Sequence, residues 1–199
     1  MKIALPNQAA ASLRRRRRSL LHMVKDAKRL LVRPCEGCTL VCICHGRQDC
    51  TECCTTDCLL VRQRLSIDGD RYPIEKGILP LVFEMASRQV YKPVWSCEGH
   101  EVLGGALKLP QVWFYSDPHH ADLLAILAAN SRSFSTQWTV AFMKASYPGL
   151  TWRLAPVDAG DGLSSLRQDA TRLAGLVRTH LNKLIHDQIA ALDRQQGAI

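Results

Sequence analysis

The stretch Thr136–Val157, TQWTVAFMKASYPGLTWRLAPV, decides the fold of the larger part of this chain. Trp138, Val140 and Phe142 alternate with Thr139 and Ala141, the period of two that a half-buried strand produces. Pro148-Gly149 interrupts the pattern, and a second apolar run follows. The spacing predicts strands over Thr136–Ala145 and Thr151–Val157, with one face on helices and the other more open.

Upstream the same signals repeat. Ile74, Ile78, Leu81, Val82 and Met85 share one side of an expected helix from about Pro73 to Ser87, kinked at Pro80. Val90–Cys97 and Gln111–Ser116 read as strands. Asp117-Pro118 supplies the N-cap and first position of a helix running through Leu123, Leu124 and Leu127. A long amphipathic helix covers Leu163 to about Leu192, its stripe traced by Leu166, Ala170, Leu173, Val177, Leu181, Leu184 and Ile189. Thirty helical residues span ~45 Å, more than such a domain requires, so the far end of the stripe suits a homodimer contact. The order α-β-β-α-β-β-α predicts an α+β domain with a mostly antiparallel sheet over residues 62–199.

Each strand carries one tryptophan: Trp95, Trp113, Trp138 and Trp152. These read as core residues, with an exposed base-stacking sheet as the alternative. If each strand pair is an antiparallel hairpin, one end of the sheet collects Asp70–Tyr72, Cys97–His100, Arg132–Thr136 and Asp158–Gly162. The N-termini of the first and last helices of this domain point there. His119 and His120 fall at the opposite end and should not join Cys97 and His100.

Ahead of this domain, residues 34–61 form a second unit. Eight of the nine cysteines lie between Cys35 and Cys58, CEGCTLVCICHGRQDCTECCTTDC. They form the pairs Cys35/Cys38, Cys42/Cys44, Cys50/Cys53 and Cys54/Cys58, with His45 among them. Two thiolates on one tight turn can both reach a metal, and four pairs suffice for about two zinc ions. Interleaved pairs resemble cross-brace zinc modules. The halves Cys35, Cys38, Cys44 and Cys50, Cys53, Cys58 resemble a binuclear six-cysteine cluster. The CxC, CC and CxxC spacings without aromatics resemble metallothionein-like stretches, and the connectivity stays open. An iron–sulfur cluster is the alternative cofactor, although the CxxCxxCxxxC-Pro run of bacterial ferredoxins is absent. Disulfides would require an oxidising compartment, to which nothing here directs export. So short a segment cannot build an apolar core, so metal–ligand energy would have to fold it, in a structural or recognition role.

Residues 1–33 carry a formal charge of +9, residues 34–61 carry −3 and residues 62–199 carry +2. A charge argument for RNA or DNA therefore concerns Arg14, Arg15, Arg16, Arg17 and Arg18, read as a basic tail. An amphipathic helix is expected over Ser19–Val32, capped by Ser19 and docked on the main domain. No apolar run reaches the ~18 residues of a membrane span, and no secretory signal is present, so a cytoplasmic location is expected. The Arg-rich leader also has the character of an organelle import signal.

Ser96-Cys97-Glu98-Gly99-His100 is the most distinctive motif of the α/β domain. A thiol, a carboxylate and an imidazole at one strand end can act as nucleophile and base or as a ligand set, so Cys97, Glu98 and His100 are the candidate catalytic residues. A tight glycine turn beside a buried thiol is the plainer reading. With Pro80-Leu81-Val82 before it and Val112-Trp113-Phe114-Tyr115 after it, this S-C-x-G core resembles the wybutosine-synthesis tRNA methyltransferase family. The likeness covers residues 74–124 and departs at Glu98 and at His100, where the family has Arg. It implies S-adenosylmethionine-dependent modification of tRNA. Two functions are thus expected: a zinc-binding, nucleic-acid-associated or adaptor protein, or an enzyme acting at the Ser96–His100 end of the sheet.

Overall fold

The expected strands pair as hairpins. In the computed structural model, which describes residues 6–26, 62, 65–66, 68–88, 90–129, 132–146 and 149–197, β1 (Lys92–Cys97) pairs antiparallel with β4 (Gln111–Tyr115), and β5 (Trp138–Ser146) with β6 (Gly149–Pro156). A third antiparallel ladder joins β4 to β6, giving one four-stranded sheet in the order β1-β4-β6-β5. Between β1 and β4 a short hairpin of β2 (His100–Glu101) and β3 (Leu107–Lys108) projects from the sheet edge. Two-residue strands carry too little periodicity to be read from sequence. The candidate thiolate ligands, from Cys35 through Cys58, lie outside the described residues.

Four helices complete the described elements: α1 (Pro6–Asp26), α2 (Leu79–Ser87), α3 (Pro118–Ala129) and α4 (Leu163–Gly197). The chain is therefore α+β, with an antiparallel sheet. The helices meet the sheet side that presents Val112, Phe114, Trp138 and Leu154, all fully buried with Leu81, Val82, Leu124 and Leu173. Buried polar ties lock this layer. Arg88 donates to the carbonyls of Val177 and Arg178, and Glu84 accepts from Arg178 Nη2 at 2.6 Å, fastening α2 to α4. Asp169 accepts from the Ser135 N–H at 2.7 Å and its hydroxyl at 2.6 Å, fastening the approach to β5 onto α4.

Three expectations change. Pro80 does not kink a helix from Pro73; α2 starts at Leu79 with the proline in its first turn, where the missing N–H has no partner to lose. Ser19 is not a cap, because α1 begins at Pro6 and carries the five arginines within it. Of the tryptophans only Trp138 is fully buried, whereas Trp95 is 41% exposed and Trp113 and Trp152 are half-buried.

The arginine run is thus one part of a docked helix. Leu20 and Met23 enter the core, and Arg16 and Arg17 reach Gln188 and Asp193 on α4. Like charges three or four apart cost a helix ~0.2–0.5 kcal/mol per pair. Burying two large apolar side chains gains about 1.5–3 kcal/mol each, so packing wins. The same docking uses the far end of α4: Leu181, Ile185 and Leu192 are buried within the chain. Of the stripe read from the sequence, Leu181 is buried there, and Leu184 and Ile189 are partly buried against the same core. No described helix is long and apolar enough to cross a membrane.

Candidate functional site

At the end of β1 the chain must turn sharply towards β2, and Gly99 makes the turn at φ +85°. A Cβ there would lie 2.9 Å from Leu163 Cδ2, from the Lys108 carbonyl oxygen and from Pro110 Cδ, so no other residue fits unchanged. The Gly99 N–H reaches back to Cys97 Sγ at 3.4 Å. Arg167, from the start of α4, clamps the turn from below. Its Nε donates to the Glu98 carbonyl at 3.2 Å and its Nη2 to the Gly99 carbonyl at 2.7 Å.

Glu98 is spent on this clamp. Its Oε2 accepts the Gly77 N–H at 2.6 Å, and its Oε1 lies 3.3 Å from Arg167 Nη2. A Cβ on Gly77 would meet Glu98 Oε2 and Arg167 Cδ at 2.8 Å, so this close approach also depends on glycine. Glu98 therefore positions the loop before α2 against α4 and is not one of the groups gathered around the thiol.

That place is taken by Glu75. Its backbone carbonyl receives the N–H groups of Ile78 and Leu79 at the start of α2. Its carboxylate turns the other way: Oε2 accepts the Glu98 N–H at 2.6 Å and Oε1 lies 2.9 Å from His100 Nε2. Donor atoms of Glu75, Cys97 and His100 all lie within 4.8 Å of one another. Among the described residues these three form a group able to hold a metal ion. Sequence reasoning found two of them and missed Glu75, which stands 22 residues upstream of Cys97 with no shared spacing.

Cys97 is 3% exposed. Burial pushes its thiol pKa up, the Gly99 N–H opposes this, and the charges of Glu75 and Glu98 add to the rise while Lys108 offsets part of it. By itself this environment favours the thiol over the thiolate. His100 and Glu75 stand at the rim, with side chains 44% and 35% exposed. The group opens on a cleft of about 670 Å³ lined also by Arg71, Tyr72, Trp95 and Lys108.

The histidine pair behaves as the topology required. His120 Nε2 sits 3.0 Å from Ser19 Oγ and 3.2 Å from the Ser19 carbonyl, in the α1–α3 contact. Burial pulls its pKa below the usual histidine value. Neither His119 nor His120 belongs to the Cys97 group.

The sheet side away from the helices carries a second arrangement. Residues directly opposite across a ladder share a face, and successive rows alternate. The rows Val112/Leu154/Val140 and Phe114/Trp152/Phe142 belong to the helix side, with Phe142 at its exposed margin against Trp152. The row between them and the row beyond Phe114 take the opposite side: Trp95/Trp113/Arg153/Ala141, and Lys92/Tyr115/Thr151/Lys144, of which Thr151 is itself buried. A register shift in β1 between Pro93 and Trp95, and one in β5 between Phe142 and Lys144, put these residues on the same side. Trp95 and Trp113 meet edge-to-face with centroids 5.7 Å apart, and Lys108 Nζ stands 4.8 Å over the Trp95 ring. Lys92, Lys108, Lys144 and Arg153 are all exposed, and the two rows contain no acid. Of the arginine run, Arg14, Arg15 and Arg18 are exposed on α1.

Comparison with protein-family models, with curated proteins and with solved structures finds no match for this chain.

Proposed function

We propose that the chain is a metal-binding protein that engages single-stranded nucleic acid across the outward face of its sheet. The observation that carries this is the pair of outward rows, where Trp95, Trp113 and Tyr115 stand beside Lys92, Arg153 and Lys144. Every base offers a π-face to an aromatic ring, and flanking cations meet the phosphates that join successive bases. An antiparallel sheet spaces such platforms regularly. Arg14, Arg15 and Arg18, exposed on α1 in the helix layer, offer a separate patch for phosphates outside the sheet face. In this reading the eight cysteines from Cys35 to Cys58 hold about two zinc ions as thiolate sites, which a reducing compartment such as the cytoplasm keeps available.

Fluorescence anisotropy with a labelled oligouridine of about twenty nucleotides tests it. Stacking is worth ~1–3 kcal/mol per base, so Trp95→Ala and Trp113→Ala should each weaken binding about 5- to 150-fold. Affinity that is absent, or that is unchanged in both variants, removes the reading.

A second reading is favoured by one observation: the cleft beside Cys97 and His100 shares Trp95 and Lys108 with the aromatic face. A base stacked on Trp95 would bring its neighbour to the mouth of that cleft. In this reading the protein modifies the RNA it binds, and the resemblance of Ser96-Cys97-Glu98-Gly99 to the wybutosine-synthesis motif suggests S-adenosylmethionine as the donor. Transfer of label from methyl-labelled S-adenosylmethionine to tRNA, lost in Cys97→Ser, supports it. Binding without transfer leaves the stacking role alone.

A further inference from the structure

We infer that Glu75, Cys97 and His100 form a mononuclear zinc site in the α/β domain, separate from the cysteine-rich segment and beyond the zinc assigned to it above. Two of the three donors leave one tight turn. Cys97 and His100 stand in a Cys-x-x-His spacing, closed by Gly99 at φ +85°, and that spacing directs two side chains to one point in zinc-binding turns. The third donor arrives from the loop before α2, which the Gly77–Glu98 bond holds against the turn.

The distances suit an ion. Zinc bonds of 2.0–2.3 Å in a tetrahedron put ligand atoms about 3.3–3.8 Å apart. Here the three donor atoms already lie within 4.8 Å of one another, with the His100–Glu75 pair at 2.9 Å. Small side-chain rotations convert the present hydrogen bond into two metal bonds. Outer contacts are in place: the Glu98 N–H holds Glu75 Oε2 at 2.6 Å, and the Gly99 N–H points at the sulfur. Such bonds orient ligands and govern metal affinity.

The donor set selects the metal. A thiolate favours zinc, copper(I) or iron–sulfur iron, an imidazole favours zinc, copper, iron or nickel, and a carboxylate tolerates zinc but not copper(I). Zinc satisfies all three. The two negative ligands, thiolate and carboxylate, balance its charge within a partly buried site. Three protein donors leave a fourth position, the pattern of sites that keep a water or a substrate oxygen. That position faces the cleft where Arg71 and Lys108 stand, so an anionic oxygen donor is the class of ligand it would take.

Zinc content of the full chain tests this, measured by atomic emission after dialysis against metal-free buffer. With the eight clustered cysteines intact in both proteins, the wild type should hold one zinc per chain more than Cys97→Ser/His100→Gln. His100→Cys should keep that ion, and with cobalt(II) in its place should strengthen the thiolate-to-cobalt absorption over wild type. Equal zinc in the wild type and a folded double variant overturns the site. Should the double variant fail to fold, Glu75→Gln decides. Competition with a chromophoric chelator should then show one zinc weakened at least ~100-fold, and unchanged affinities throughout overturn the site equally.

Discussion

Arg167 Nη2 donates to the Gly99 carbonyl at 2.7 Å and so ties the first turns of α4 to the turn that carries Cys97 and His100. The same guanidinium holds the Glu98 carbonyl and carboxylate. Charge-assisted bonds contribute ~1.5–3 kcal/mol when buried. With the Arg167 side chain 37% exposed, Arg167→Met should cost about 1–2 kcal/mol in urea unfolding. Lysine should not restore the loss, because one ammonium cannot span three acceptors. Full stability in Arg167→Lys would show the clamp to be dispensable.

Glycines of positive φ in this region should separate by surroundings. Gly104 and Gly99 both have φ near +90°, yet a Cβ on Gly104 meets nothing within 4 Å, whereas one on Gly99 meets three groups at 2.9 Å. Gly104→Ala should lose only the left-handed penalty of ~1–2 kcal/mol. Gly99→Ala adds overpacking and should lose about 2–4 kcal/mol. Equal losses by chemical denaturation would mean the turn relaxes freely.

Acid should loosen the α1 contact. Burial depresses the pKa of His120 below its ordinary value of 6.5, and the Ser19 carbonyl and Asp117 only partly oppose this, with His119 and His22 adding to it. The unfolded chain therefore binds this proton more readily. The stabilisation is complete above pH 6.5 and is lost as the pH falls towards the folded value. Unfolding free energy measured from pH 7.5 to 5 should fall less steeply in His120→Gln than in wild type. Identical slopes would remove His120 as the cause.

Salt should report which cations touch phosphate. For single strands each neutralised phosphate contributes about 0.7 to the slope of log affinity against log salt. Lys92→Gln and Arg153→Gln should each lower that slope by about this amount. Arg17→Gln should lower it little, because Arg17 is engaged with Asp193 at 2.5 Å. A larger effect at Arg17 than at Arg153 would place the strand on α1 instead of on the sheet.

Much of this architecture is legible in the sequence. The alternation around Trp138 revealed β5 and its two unlike faces, and Asp117-Pro118 marked the start of α3. Hairpin logic brought Cys97–His100 to the end of the sheet where α2 and α4 begin, and kept His120 away. Other features left no local trace. Residues 14–18 have the composition of a solvated tail; the stripe beyond them announced the docking of Leu20 and Met23, but only the structure puts the arginines in the same helix. The tryptophans look alike in sequence, one per strand, yet register sends Trp138 inward and Trp95 and Trp113 outward.

The chain by itself determined its α+β class, its antiparallel hairpins and the Cys97–His100 turn, because periodicity and glycine chemistry act over a few residues. Tertiary structure alone decided which carboxylate stands beside the thiol. Glu98 is adjacent in sequence but is drawn off by the Gly77 N–H and Arg167, whereas Glu75 is delivered from 22 residues away. Contacts of that kind depend on how the loop before α2 packs against α4, a relation that no spacing records. The outward stacking face has the same origin: two register shifts of one residue set the faces of Lys92, Trp95 and Lys144.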